Sequence, residues 1–146
     1  MKDKIKNFLK NFLKILILFI IGGTIYIVIE LLYRGYTHWT MFILGGICFV
    51  AIGLLNEKLS WKTPLISQSL IGGGIITVLE YITGLIVNIG LGWNIWDYSN
   101  LLFNIQGQVC LLFTGIWIII AVIAIVVDDY LRYWIFKEEK PHYSIV

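Results

Sequence analysis

Four apolar stretches, each long enough to cross a lipid bilayer, make up most of this chain. They lie at residues 15–33, 39–56, 65–90 and 108–131. A transmembrane helix needs roughly 20 mainly apolar residues, so the sequence predicts an all-α integral membrane protein with four transmembrane helices. With 59% hydrophobic and 14% charged residues, the chain has too little polar surface to cover a globule in water. We therefore expect one membrane domain over residues 15–131.

The first 14 residues combine lysines and apolar side chains at helical spacing. The lysines of one stripe are Lys2, Lys6, Lys10 and Lys14, and the apolar face carries Ile5, Phe8, Leu9, Phe12 and Leu13. This pattern is typical of a helix on an anionic membrane surface, and it predicts an amphipathic interfacial helix at 1–14; a solvated basic tail is the alternative. A cleaved signal peptide is disfavoured because the apolar run from residue 15 continues to residue 33 without an A-x-A-like site.

Basic residues are distributed unevenly between the two sides of the predicted bundle. Five lysines precede the first span, two lie between the second and third, and three basic residues follow the fourth, which leaves only Arg34 on the other side. Because lysine and arginine concentrate in cytoplasmic segments, we predict a multi-pass plasma-membrane protein with both termini in the cytoplasm. Residues 132–146 would then form a cytoplasmic tail.

Polar residues of the spans and their connections collect on the side opposite the termini. Our candidate residues for substrate or ion binding are Glu80, Glu30, Asp97, Arg34, His38, Asn88, Trp96, Tyr98, Asn104 and Gln108. An ionised side chain at membrane depth is costly, so Glu80 is expected to be neutral, paired or facing water inside the protein. Arg34 is the cation available there, and we expect three acids, Glu30, Glu80 and Asp97, to share it.

The side of the termini is expected to hold no comparable polar set. Asp128 and Asp129 lie at helical spacing from Arg132, which we interpret as an interfacial ion pair. Cys48 and Cys110 lie in apolar surroundings without metal-ligand spacing, so we expect packing roles for them, and neither a metal nor a cofactor. Glycines at 22–23, 45–46 and 72–74 are predicted to allow close helix packing, as small residues do in membranes.

The connection LGWNIWDYSNLLFNIQGQVC, residues 91–110, is unusual for a membrane loop. It is too short and polar to cross the bilayer, yet too apolar to extend into water. We predict a re-entrant or interfacial segment, in which Asp97 caps a short helix beginning at Tyr98 and Ser99 is a competing cap. An aromatic anchor around such a cap is the alternative to a role in ligand contact.

Several segments together resemble one family. RGYTHWTMFILGGICF, EYITGLIVN, WDYSNLLFNIQGQVCL and DDYLRYWIFKEEKPHY are similar to bacterial membrane proteins labelled ABC-transporter permeases of the CmpB type. The E-x-x-T-G block followed by WDYS is also similar to a vertebrate four-span membrane family. The resemblance covers nearly the whole chain and implies a four-span fold with a role in transport.

Three functions remain open on the sequence. The first is a small transporter or channel in which the acidic cluster binds a cation or a proton. The second is an accessory or scaffold subunit, and the third is an embedded enzyme acting on lipid or isoprenoid head groups. The chain has no G-x-x-x-x-G-K-[ST] motif, so coupling to ATP would require a separate ATPase. Four spans enclose little space, which favours a homodimer. No feature indicates nucleic acid as a partner.

Overall fold

The structure, a computed structural model, describes residues 1–146. Its helices are α1 (Lys2–Arg34), α2 (Trp39–Lys58), α3 (Leu65–Gly84) with a π-helical extension (Leu85–Gly90), and α4 (Leu111–Phe136). There is no β-sheet, and the one isolated β-bridge joins Ile105 to Val109. All four helices are long and apolar enough to cross a bilayer. The all-α fold with four candidate spans is therefore confirmed.

Helix α1 differs from the expected pair of a surface helix and a separate span. It runs without interruption for 33 residues, or about 50 Å at 1.5 Å per residue, which exceeds the roughly 30 Å thickness of the hydrocarbon core. The apolar side chains predicted for the interface, Ile5, Phe8 and Phe12 among them, are all exposed. The segment 1–14 is thus the first part of α1, and its position on a membrane surface stays a prediction.

Two antiparallel helix pairs form the bundle: α1 packs along α2, and α3 packs along α4. Helix α2 also contacts α3 and α4, whereas α1 and α4 face each other across a cleft. Glycines bring the helices of each pair together: a Cβ at Gly23 would lie 2.6 Å from the backbone oxygen of Phe42, and one at Gly73 would lie 2.9 Å from the backbone of Ile118. Gly74, in contrast, faces open space.

The connection 91–110 contains no helix, so the predicted short helix at Tyr98 is wrong. The segment is instead a series of turns, in which Asn94, Phe103 and Gln106 take left-handed backbone conformations. We call the end of the bundle that carries residues 35–38 and 91–110 the loop end. The opposite end carries the connection 59–64 and the C-terminal residues 137–146, and we call it the tail end.

Candidate functional site

Glu80 on α3 is the buried acid at the centre of the site. Its side chain is 2% exposed, and it accepts hydrogen bonds from two neutral groups. The hydroxyl of Tyr98 donates to Oε1 at 3.1 Å, and the indole Nε1 of Trp117 donates to Oε2 at 2.8 Å. No lysine or arginine forms an ion pair with this carboxyl group. The expected pairing of Glu80 with Arg34 is therefore wrong.

One cavity is lined by this carboxyl group, and a second is lined by its two hydrogen-bond donors. A cavity of about 110 Å³ lies toward the tail end, and Glu80 is the one carboxyl group among its mainly aliphatic lining residues. A second cavity, of about 170 Å³, lies toward the loop end and is lined by Glu30, Arg34 and Tyr98 among others. The same four side chains contribute to the walls of both: Tyr26, Ile29, Trp117 and Ile120. Glu80 thus lines the tail-end cavity, and its donors Tyr98 and Trp117 line the loop-end cavity, which is mainly apolar but also contains Glu30 and Arg34.

Arg34 pairs with Glu30 one helical turn earlier, at 2.9 Å. Its Nη1 donates to the backbone oxygen of Ile95 at 3.0 Å, and its guanidinium lies 4.7 Å from the ring centre of Tyr36. Thr37 also donates to Glu30, at 2.8 Å. The Nε of Arg34 is buried without a hydrogen-bond partner. The structure therefore brings Glu30 and Arg34 together at the loop-end cavity, but it does not make Arg34 a counterion for three acids.

Asp97 is exposed, and it shares no hydrogen-bond partner with Glu80 or Glu30. It accepts hydrogen bonds from the backbone N–H of Ser99 at 2.8 Å and from the Ser99 hydroxyl. These two bonds lower the pKa of Asp97. Asp97 thus accepts the backbone hydrogen bond expected of a cap, but it stabilises a turn and not the start of a helix.

Tyr98, the next residue, points inward. Its ring stacks on Phe113 at a centroid distance of 4.5 Å, and its hydroxyl reaches Glu80. Burial, followed by the nearby charge of Glu80, raises the pKa of Tyr98, so this phenol acts as a hydrogen-bond donor and not as a phenolate. Among the WDYS residues, Tyr98 is the one in direct contact with the central carboxyl group.

Asn88, Trp96 and Gln108 attach the loop to the end of α3. The Nδ2 of Asn88 donates to Oε1 of Gln108 at 2.8 Å, and the Oδ1 of Asn88 accepts from the backbone N–H of Ile95 at 2.7 Å. The indole of Trp96 donates to the backbone oxygen of Gln108 at 2.9 Å. All three side chains are buried. These contacts position the loop that carries Tyr98, so the three residues support the site without lining the tail-end cavity.

Asn104 and His38 have local roles away from the central carboxyl group. Asn104 donates to the backbone oxygen of Leu101 at 2.9 Å and accepts from the backbone N–H of Gly107 at 3.0 Å. His38 is the N-cap of α2, where its Nδ1 accepts from the backbone N–H of Thr40, and its ring packs against Trp39 and Trp93. The structure does not gather these two residues around Glu80.

The hydrogen bonds of Gln108 yield a prediction about the loop. Replacement of Gln108 by Asn shortens the side chain by one methylene and leaves the buried Nδ2 of Asn88 without its acceptor. We expect the free energy of unfolding to fall by about 1–3 kcal/mol, the cost of an unsatisfied buried polar group. Denaturant titration in mixed micelles would measure it. The matched control is Gln106→Asn, whose side chain is exposed and whose replacement should change stability by less than about 0.5 kcal/mol. Equal effects of the two changes would contradict the supporting role of Gln108.

The tail end also holds a buried polar cluster, which corrects the expectation that this side has none. Asp128 is 0% exposed, and its Oδ2 accepts from the Nε of Arg132 at 2.6 Å. Arg132 also pairs with Glu57 at 2.7 Å. The carboxylate of Asp128 lies against Gly53, where a Cβ would be 2.5 Å from Oδ1. The predicted pair of Asp128 and Arg132 is present, but it is buried and extends to α2.

The C-terminal residues and α1 complete this tail-end cluster. Asp129 accepts from Asn56 and from the hydroxyl of Tyr143, the latter at 2.7 Å. Lys14 of α1 forms an ion pair with Glu138. Burial acts to raise the pKa of Glu138, but the hydrogen bonds with Lys14 and Glu57 and the charges of Lys14 and Arg132 together outweigh it, so that the pKa lies below its usual value. The cluster therefore ties α1, α2, α4 and the tail together.

Comparison with known protein families identifies the family of this chain. Residues 4–145 match the family described as "Putative ABC-transporter type IV". The match covers nearly the whole chain and agrees with the resemblance in the sequence. No curated protein and no solved structure shows significant similarity.

Proposed function

Because the chain belongs to this ABC-transporter type IV family of membrane proteins, we propose that it is a small transporter in which Glu80 binds a proton or a monovalent cation. The observation that supports this most directly is a buried carboxyl group without a cationic partner. A charge at this depth costs several kcal/mol unless it is compensated. Two neutral donors orient the carboxylate but do not neutralise it. A proton or a small cation supplies the missing charge.

Glu80 lines one cavity and its two donors line the next, which supports its role as an exchange site. The cavity toward the loop end brings the polar groups Glu30, Arg34 and Tyr98 close to it, and the cavity toward the tail end is apolar. Acidic residues within membrane segments commonly form proton relays and ion pathways. We propose that Tyr98 and Trp117 hold the carboxylate while the bound proton or cation exchanges with the loop end.

Topology and partners belong to the same proposal. We propose that the tail end is cytoplasmic in the plasma membrane, since ten basic residues lie on that side in the sequence-based topology and Arg34 alone lies at the loop end. A homodimer would supply a longer pathway than four helices enclose. A separate ATPase subunit is a further proposed partner, since the chain has no Walker A motif.

The test is flux through sealed proteoliposomes that contain the wild type or Glu80→Gln. We expect a pH step or an imposed potential to drive proton or monovalent-cation flux through the wild type. Because glutamine cannot exchange a proton or balance a cation, we expect the variant to fall to the rate of protein-free liposomes. Glu139→Gln is the matched control, because this acid is exposed at the tail end, and its flux should equal that of the wild type.

Two outcomes would contradict the transport proposal. Wild-type flux in Glu80→Gln would exclude Glu80 as the binding residue. Absence of flux in every protein would favour an accessory subunit, a role that is supported by the hydrogen bonds through which Glu80 joins α3, α4 and the loop. Melting of purified Glu80→Gln distinguishes that role, because a purely structural Glu80 requires a loss of stability in the variant.

A further inference from the structure

We propose that the cleft between α1 and α4 binds a single-chain zwitterionic lipid of the lysophospholipid class. This inference goes beyond the proposed function, because it names a lipid ligand for the cleft beside Glu80. The zwitterionic head would lie at Glu30 and Arg34, and the acyl chain would extend past Tyr26 and Trp117 into the tail-end cavity. Both cavities have walls from α1 and α4, so together they line one cleft.

The cleft opens toward lipid and not toward the bundle interior alone. Ile25 and Ile29 of α1 are exposed, as is Ile123 of α4, and all three line the tail-end cavity. Side chains bridge the helices at two levels, where Tyr26 lies 6.0 Å from Trp117 and Tyr33 lies 6.3 Å from Phe113 between ring centroids. An aliphatic chain can therefore enter sideways from the bilayer between aromatic walls.

The length of the cleft fits one acyl chain. Its walls on α1 extend from Gly22 in the tail-end cavity to Arg34 in the loop-end cavity. That segment is about 18 Å long at 1.5 Å per residue. One leaflet of the hydrocarbon core is roughly 15 Å thick, half of the full core. A chain that begins at Arg34 would thus reach the end of the apolar cavity near the middle of the bilayer.

The charges at the loop end favour a zwitterionic head over an anionic one. Glu30 and Arg34 form a pair with no net charge, so an anion would meet the repulsion of Glu30, whereas a zwitterion can place its phosphate at Arg34 and its ammonium at Glu30. The buried Nε of Arg34 has no hydrogen-bond partner. A phosphate oxygen would supply the missing acceptor. The chain below meets mainly aliphatic and aromatic side chains.

The test uses lysophosphatidylethanolamine with a diazirine in its acyl chain, photo-crosslinked to the purified full chain in nanodiscs, and mass spectrometry of the labelled peptides. We expect saturable labelling of α1 and α4 at the cleft, and its loss in the presence of excess unlabelled lipid. Competition by a monoacylglycerol, which has an uncharged head, should be weaker. Labelling that is neither saturable nor competed would show annular contact only and would overturn the proposal.

Variants that fill the cleft provide a second test of the lipid site. Ala124→Phe places a ring in the tail-end cavity, and Ile123→Trp blocks its mouth; both residues line that cavity. Each should abolish the competed labelling while the protein stays monodisperse with an unchanged melting midpoint. Ile119→Phe is the matched control, because Ile119 is 65% exposed and lines neither cavity. Undiminished labelling in a folded Ile123→Trp would overturn the assignment to the cleft.

The binding readout separates this inference from the proposed function. Competed labelling in Glu80→Gln without flux in the wild type would keep the lipid site and reject ion transport. Flux that depends on Glu80 without competed labelling would keep the transport proposal and reject the lipid site.

Discussion

Replacement of Arg132 by Met is expected to lower the free energy of unfolding by about 3–5 kcal/mol, the range for removal of one partner from a buried ion pair. Arg132 is 3% exposed, and its guanidinium contacts Asp128 and Glu57. The variant leaves the carboxylate of Asp128 fully buried without its one hydrogen-bond donor. Met retains much of the length and apolar packing of arginine, so the effect measures the charge. Denaturant titration in mixed micelles would report it.

Two further variants test the cause of this loss. Lys140→Met removes an exposed positive charge from the same tail and should change stability by less than about 0.5 kcal/mol. Arg132→Met combined with Asp128→Leu removes both partners of the buried pair, and we expect it to be more stable than Arg132→Met alone. A double variant that is less stable than the single one would show that the buried charge is not the source of the loss.

The transmembrane helices were the part of the fold that sequence could predict well. Their apolar stretches are long enough to admit few alternatives in a bilayer, and the third expected span, 65–90, coincides with α3 and its π-helical extension. The end of a helix is less determined where the flanking residues are themselves helix formers. The segment 1–14 continues α1 for this reason: no proline or glycine separates it from residue 15.

The geometry of the loop end could not be predicted in the same way. Periodicity describes helices and strands, but residues 91–110 are a series of turns whose backbone includes left-handed residues. The contact between Tyr98 and Glu80 depends on the path of that backbone. Charge counting predicts that Arg34 pairs with Glu80. Arg34 pairs instead with Glu30, because Glu30 lies one turn away on the same face of α1.

The tail-end cluster was missed although its residues carried a signal. The topology places the end of α2, with Asn56 and Glu57, on the same side as Asp128, Asp129 and Arg132. The polar residues at the ends of α2 and α4, taken together, predict a cluster that joins the two helices. The burial of this cluster could not be predicted from the sequence, because it depends on Gly53. The absence of a side chain at Gly53 lets the carboxylate of Asp128 approach α2 closely.

The two polar clusters have different consequences for the molecule. Every acid of the tail-end cluster accepts a hydrogen bond or forms an ion pair, so that cluster fastens helix ends and the tail. Toward the loop end, Glu80 lines one cavity, its donors Tyr98 and Trp117 line a second, and no lysine or arginine forms an ion pair with it. Stability experiments should therefore respond most to Arg132, and flux experiments most to Glu80.

Replacement of Gly73 by Leu is the second large effect that we expect, because it places a side chain against the backbone of α4. A Cβ at Gly73 already lies 2.9 Å from the N and Cα atoms of Ile118, so α3 and α4 must separate to admit it. Overpacking of this kind costs about 1–3 kcal/mol and more where backbone must move. Separation of the two helices would also pull Trp117 on α4 away from Glu80 on α3. We therefore expect lower stability and, in proteoliposomes, loss of the flux that depends on Glu80.

Gly74→Leu separates this packing effect from the general effect of a larger residue in α3. A Cβ at Gly74 meets no atom within 4 Å, and leucine is a better helix former than glycine by up to about 1 kcal/mol. Gly74→Leu should thus be as stable as the wild type or more so, while Gly73→Leu, one residue earlier in the same helix, is much less stable. Equal stability of the two variants would mean that α3 and α4 do not pack through Gly73. In that case, the contact at Gly73 would not be what holds Trp117 and Glu80 within hydrogen-bond distance.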